Sequence, residues 1–223
     1  MVEHLGTFAG HVIPGTMFLL WGLWWFRGAA PATGPCNTAW EPWVIIPATI
    51  AAALGELWWA SWRMTDTSVI NYQHATMYLS FAVPAIMYLL ARRSQVSERL
   101  PSLTLGLGFA VAGVLFIAHG SHMAVSGAIH QLLAIQLFVC ALISAAEGVR
   151  PSRALAVARC WATIATGTWF LIAGWILYRT SYDMNDMAVV MRVHLFFIWN
   201  MMASGAVLLF LHLAIRTSGS QSS

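Results

Sequence analysis

Seven residues have side chains that bind metals or move protons, and they lie in or beside strongly apolar segments: His11, Glu56, His74, His119, His122, His130 and His194. The densest group is the stretch 119–130, His-Gly-Ser-His-Met-Ala-Val-Ser-Gly-Ala-Ile-His. His119 and His122 are three apart and share a helix face, and a turn at Ser126-Gly127 would fold His130 back toward them. Three imidazoles so placed can chelate a metal. Imidazole nitrogen suits zinc, copper and iron, and an added carboxylate suits zinc or iron. Glu56 is then a ligand or the general base for a metal-activated water. Asn71, Gln73, Thr76 and Tyr78 are the candidates to orient His74 and its neighbours from behind.

Met184, Met187, Met191 and His194 follow at spacings of three, four and three, which sets them on one helix face beside Asp183 and Asp186. Thioethers favour Cu(I), so this ladder is a candidate inlet for copper. The bland alternative is packing, the usual role of methionine at helical spacing. Copper or zinc is the first expectation and iron the next. A haem needs two histidines facing each other across a bundle, and ranks below them. No His-x-x-x-His or Glu-x-x-His motif, phosphate-binding loop, Gly-x-Ser-x-Gly elbow or nucleic-acid motif is present.

The elements that must position these residues are membrane helices. Of 223 residues, 59% are hydrophobic and 9% charged, with a mean hydropathy of +0.71, far from a soluble domain. Apolar runs of roughly 20 residues, the length that spans a bilayer, occur seven times, at about 7–26, 43–62, 70–91, 101–123, 126–148, 154–178 and 188–215. The expected fold is all-α: a polytopic bundle of seven transmembrane helices forming a single domain over residues 1–216, followed by a disordered polar tail, 217–223. The first run lacks a basic leader and reads as a retained span. Cys36, Cys140 and Cys160 have no CxxC spacing and read as buried small residues. The eleven cationic side chains are all arginine. Without lysine there is no Schiff base, which excludes a retinal chromophore.

The arginines also orient the bundle. The loops after helices 1, 3 and 5, with the C-terminus, hold Arg27, Arg92, Arg93, Arg99, Arg150, Arg153 and Arg216. The opposite side holds Arg63, Arg179 and Arg192. By the positive-inside rule the N-terminus is outside and the C-terminus cytoplasmic. The basic charge thus sets topology and does not mark a nucleic-acid partner. In this frame the six histidines and Glu56 converge on one level in the outer leaflet, while Glu147 and His212 lie near the cytoplasmic side. Ionisable groups within spans are costly and face the bundle interior or a water-filled cavity. A lone histidine is more often a satisfied interhelical partner than a ligand, and the convergence is what argues for more.

Gly10-His11-x-x-Pro14-Gly15, Gln73-His74-x-Thr76-Met77-Tyr78, His119 with His122, Ile129-His130, Glu147 and Gly167-Thr168-Trp169-Phe170 resemble the transmembrane protein 45 family, in order and over nearly the whole chain. The resemblance implies a seven-helix fold and implies no reaction. Members of that family carry a Trp-His pair in the last helix, where this chain has Trp199-Asn200. The lysine-free, alanine-rich composition suggests a bacterial relative, in a bacterial cytoplasmic membrane.

Three readings of function follow. The first is a membrane enzyme, an oxidoreductase or hydrolase, whose His/Glu metal centre acts on an amphiphilic substrate. The second is a protein that binds or transports copper or zinc, with Glu147 and His212 as an inner station. The third is a structural scaffold whose histidines pair helices. Membrane lipid is the expected surrounding in all three, and a metal ion or an amphiphilic small molecule the expected partner in the first two.

Overall fold

The computed structural model describes residues 7–28, 38–65, 68–119 and 123–220, the side chains at 212 and 214–220 excepted. All regular structure among them is helical: α1 (Phe8–Gly28), α2 (Glu41–Trp59), α3 (Val69–Arg92), α4 (Leu100–Ala118), α5 (Ala124–Val149), α6 (Arg153–Arg179) and α7 (Met187–Ser220). Six of the seven are long and apolar enough to cross a membrane. In α1, which has the length at 21 residues, the hydropathy is diluted by His11, Pro14, glycines and tryptophans. Helices are what such a sequence must form, because in hydrocarbon each backbone N–H and C=O has to be satisfied within its own segment.

The helix ends follow local chemistry. Pro42 and Pro101 occupy the first turns of α2 and α4, where a missing N–H costs nothing. The Ser152 hydroxyl accepts from Leu155 N at 3.2 Å and caps α6. Two helices are shorter than their apolar runs. α2 stops at Trp59 and not Trp62, since Ser61 and Trp62 take left-handed backbone angles, φ 52° and 58°. α4 stops at Ala118, with His119 as its C-cap, so His119 closes the helix and is not part of a continuing span. α7 runs to Ser220, four residues into the segment expected to be a disordered tail.

α1 packs on α6, α6 on α5, α5 on α4, α4 on α3 and α3 on α2, while α7 lies against α5 and α6. The α1 and α6 backbones approach closely because both carry glycines at the crossing. A Cβ on Gly167 would lie 2.5 Å from Leu19 N and 2.7 Å from the Gly15 carbonyl. The signature glycines 15 and 167 are thus the two sides of one helix crossing. The backbones of α1 and α2 do not meet, and side chains bridge the space between α1 and the α2–α3 pair: Phe18 reaches Phe81, with ring centroids 5.5 Å apart.

Candidate functional site

Four imidazoles and one carboxylate form a row across one end of the bundle. His74, on α3, and His119, at the end of α4, have ring centroids 5.0 Å apart. His119 and His130, on α5, are 5.2 Å apart, and His130 and His11, on α1, are 6.1 Å apart. Glu56, on α2, closes one end of the row, its Oε1 lying 3.3 Å from His74 Nδ1. His11, His119 and His130 are only 7%, 7% and 3% exposed. Tyr178 stands against His11 at 5.4 Å, and Phe116 stacks on His130 at 5.9 Å.

The hydrogen bonds behind the rings decide which nitrogen is free. His11 Nδ1 donates to the Thr7 carbonyl at 3.2 Å and His130 Nδ1 to the Ser126 carbonyl at 2.7 Å. His119 Nδ1 faces Gln73 Oε1 at 3.1 Å, and His74 Nδ1 faces the Glu56 carboxylate. Carbonyl and carboxylate oxygens only accept, so each Nδ1 carries the proton and each neutral ring keeps its lone pair on Nε2. Glu56 is held in turn by Asn71 Nδ2, which donates to Oε2 at 2.8 Å. Carbonyls and carboxylates behind Nδ1 are the usual arrangement behind metal-binding imidazoles. Among the described residues, however, no group of three or more His, Cys, Asp or Glu side chains is arranged to hold a metal ion: the rings form a row, not a shell.

The row is the polar end of a cavity of about 100 Å³. Its walls follow helical periods: His11, Pro14, Phe18, Trp21 and Trp25 on α1, His74, Met77, Tyr78 and Phe81 on α3, and Leu105, Phe109, Ala112 and Phe116 on α4. Below the row these walls are almost wholly apolar.

Residues 98–213, just over half of the chain, match a family described as a family of unknown function, DUF716. The chain belongs to it. This DUF716 protein is also similar to the transmembrane epididymal protein 1 of Rattus norvegicus, 27% identical over 148 residues, which is 62% of this chain and 48% of the relative. The chain thus spans about half the length of the curated relative it matches. Both findings support a membrane family like transmembrane protein 45, and neither supports a bacterial origin. The matched segment holds His119 and His130, whereas His11 and His74 precede it.

Several expected site residues of this DUF716 protein lie elsewhere. His194 is exposed on α7, its Nδ1 donating to the Val190 carbonyl at 2.8 Å, and α7 contributes nothing to the cavity wall. Met187 and Met191 are 63% and 72% exposed on the same helix, and Met184 packs partly against the core, so the ladder does not lead to the row. Thr76 is exposed and bonds the Tyr72 carbonyl within its own helix. Asn71, Gln73 and Tyr78 do reach the site. His122 lies outside the described residues, as does the side chain of His212. Asn200, where the resemblance to transmembrane protein 45 implies a histidine, donates to the Ala165 carbonyl at 2.9 Å and ties α7 to α6.

Glu147 is no free inner station. Arg159 Nε donates to its Oε2 at 2.6 Å, and the guanidinium sits 4.7 Å above the Trp25 ring, both partners being almost completely buried. Counting arginines by loop misses Arg159, which lies inside α6. An intramembrane acid one helix away is the signal that finds it. A second buried acid, Glu41, accepts from Trp24 Nε1 at 2.8 Å and Trp25 Nε1 at 3.2 Å, fixing the start of α2 to α1.

Proposed function

We propose that this membrane protein binds a transition-metal ion through the Nε2 lone pairs of its imidazole row, with copper or zinc as the first candidates and iron next. The observation that carries the reading is that all four Nδ1 atoms are engaged by oxygen acceptors, so that each imidazole, when neutral, offers its lone pair from Nε2, and all four rings line one cavity. Two imidazoles sharing a tetrahedral ion at 2.0–2.1 Å have ring centroids about 5 Å apart. His119–His130 and His74–His119 have that spacing. His119 and His130 are therefore the central pair, with His74 or His11 completing the set by a ring rotation.

Holding the ion for a reaction fits better than passing it inward. The cavity below the row is lined by Phe18, Phe81, Phe109 and Leu105, and Glu147 beyond it is already paired. With a metal in place, Glu56 would act through His74 as the base of a carboxylate–imidazole pair. The arginine bias puts the N-terminus outside, the C-terminus in the cytoplasm and the row at the non-cytoplasmic face.

Elemental analysis of the purified protein is the test. Near-stoichiometric copper, zinc or iron, lost in both His119→Ala and His130→Ala, is the expected result, and a metal content that both variants leave unchanged overturns the assignment. The row itself favours one second reading, a proton relay from Glu56 through His74, His119 and His130 to His11. The relay would run within one level of the bundle, so a metal-free protein whose row imidazoles show 15N shifts that move together with external pH, and lose that coupling in His119→Ala, would decide for it.

A further inference from the structure

The cavity below the imidazoles has a shape that selects an occupant. On α1 its wall runs from His11 to Trp25 and on α4 from Leu105 to His119. Fourteen residues at 1.5 Å each give a length of about 21 Å, somewhat more than the ~15 Å of one leaflet's hydrocarbon. Its volume of about 100 Å³ is the space open to the centre of a water molecule. Spread over that length, and with the ~1.4 Å radius of that sphere added, it amounts to a bore about 5 Å across. That mean width matches one hydrocarbon chain and is less than two side by side.

The two ends differ in chemistry. One carries four imidazole Nε2 atoms, of which the ion takes three, and, among the described residues, no arginine; the remaining Nε2 accepts from a head that donates a hydrogen bond. The other ends among Trp21, Trp25 and Leu105. The bore borders the space where the α1 and α2 backbones do not meet, with Ile45 and Thr49 of α2 in its wall.

The geometry points to a single-chain amphiphile with a hydroxyl head, such as a long-chain alcohol, as the molecule this cavity holds: hydroxyl on the imidazoles, chain along Phe18, Phe81 and Phe109, entering from the lipid between α1 and α2. This deepens the metal reading by naming what is presented to the row, and it rests on that reading only in treating the row as the site's working end.

The test uses the full chain in nanodiscs and hexadecanol bearing a diazirine near its tail, with cross-linked peptides mapped by mass spectrometry. The expected labels fall on the α1, α3 and α4 cavity walls, are competed by excess plain hexadecanol, and drop at least tenfold in Ala112→Phe, which fills the bore. Ala85→Phe fills it from α3 and serves if Ala112→Phe does not fold. Labels confined to lipid-facing positions such as Leu107, Val114 and Leu142, unchanged in a folded filling variant, overturn the inference. Metal content measured on the same samples separates the two readings. Metal retained without cavity labelling removes the amphiphile alone, and cavity labelling without metal removes the metal alone.

Discussion

At the scale of single residues, the site depends on what stands behind each imidazole. Gln73 is the acceptor that fixes the His119 ring, so Gln73→Leu frees that ring to turn and take the other tautomer. Losses of such orienting partners cost about 10- to 100-fold in metal affinity. A competition titration with a chelator of known strength should show that drop, and an affinity within a factor of two of the parent would remove Gln73 from the site. The Glu147–Arg159 pair has a different economy. Glu147→Gln leaves a buried guanidinium without its counter-charge, and breaking a buried pair from one side costs about 3–5 kcal/mol. A large fall in the thermal unfolding midpoint is expected for Glu147→Gln. A Glu147→Leu, Arg159→Met double variant is expected to recover most of it. Much of this was legible in the residues themselves. His11, Glu56, His74, His119 and His130 announce themselves as ionisable groups at one depth, and Asn71 and Gln73 as their neighbours. Depth along a span can be counted from its ends. The azimuth of a side chain depends on which helices lie beside it, and so His194, which counting along the span sets level with the others, lies exposed on α7 outside the cavity.

At the scale of elements, the crossing of α1 and α6 sets where His11 stands. Gly167→Ala would put a methyl against the backbone of Leu19 and Gly15, neither of which can yield as a side chain can. Overpacking of this kind costs about 1–3 kcal/mol. The separation it forces would withdraw His11 from His130. The expected outcome is reduced thermal stability together with a weaker metal site, whereas Gly55→Ala, with open space around its Cβ position, should change neither. The methionines of α7 belong to another element and another face. Met187→Ala with Met191→Ala should leave metal uptake from a Cu(I) donor at the parental rate, and a severalfold slower uptake would restore them as an inlet. All seven helices were legible from runs of apolar residues. Their ends were less so, because hydropathy continues through Ser61, Trp62 and His119 after the backbone has left the helix. The methionine ladder misled for a related reason: a period of 3.6 marks a shared helix face and does not say whether that face meets protein or lipid.

At the scale of the whole molecule, the bundle is a curved series of helices, from α2 through α3, α4, α5 and α6 to α1, with α7 behind it. The cavity lies where the two ends of that series approach without their backbones meeting. Nothing in the sequence specifies this order, since seven similar apolar segments admit many neighbour relations, and the small-residue crossings that select one appear only in pairs. The arrangement joins a row of imidazoles to a narrow apolar bore. The proposed orientation, with the N-terminus outside, predicts that a reporter that matures only in the cytoplasm is active when fused at the C-terminus and silent when fused at the N-terminus; the reverse pattern would move the row to the cytoplasmic face without altering its chemistry. The account turns on the Nε2 atoms of His119 and His130, with that of His74 or His11, acting on one ion. X-ray absorption spectroscopy of the protein loaded with copper or zinc measures that directly. Three imidazole nitrogens at ~2.0–2.1 Å, with no sulfur scatterer, is the spectrum expected, and a shell dominated by sulfur, or one with fewer than three imidazoles, would contradict it.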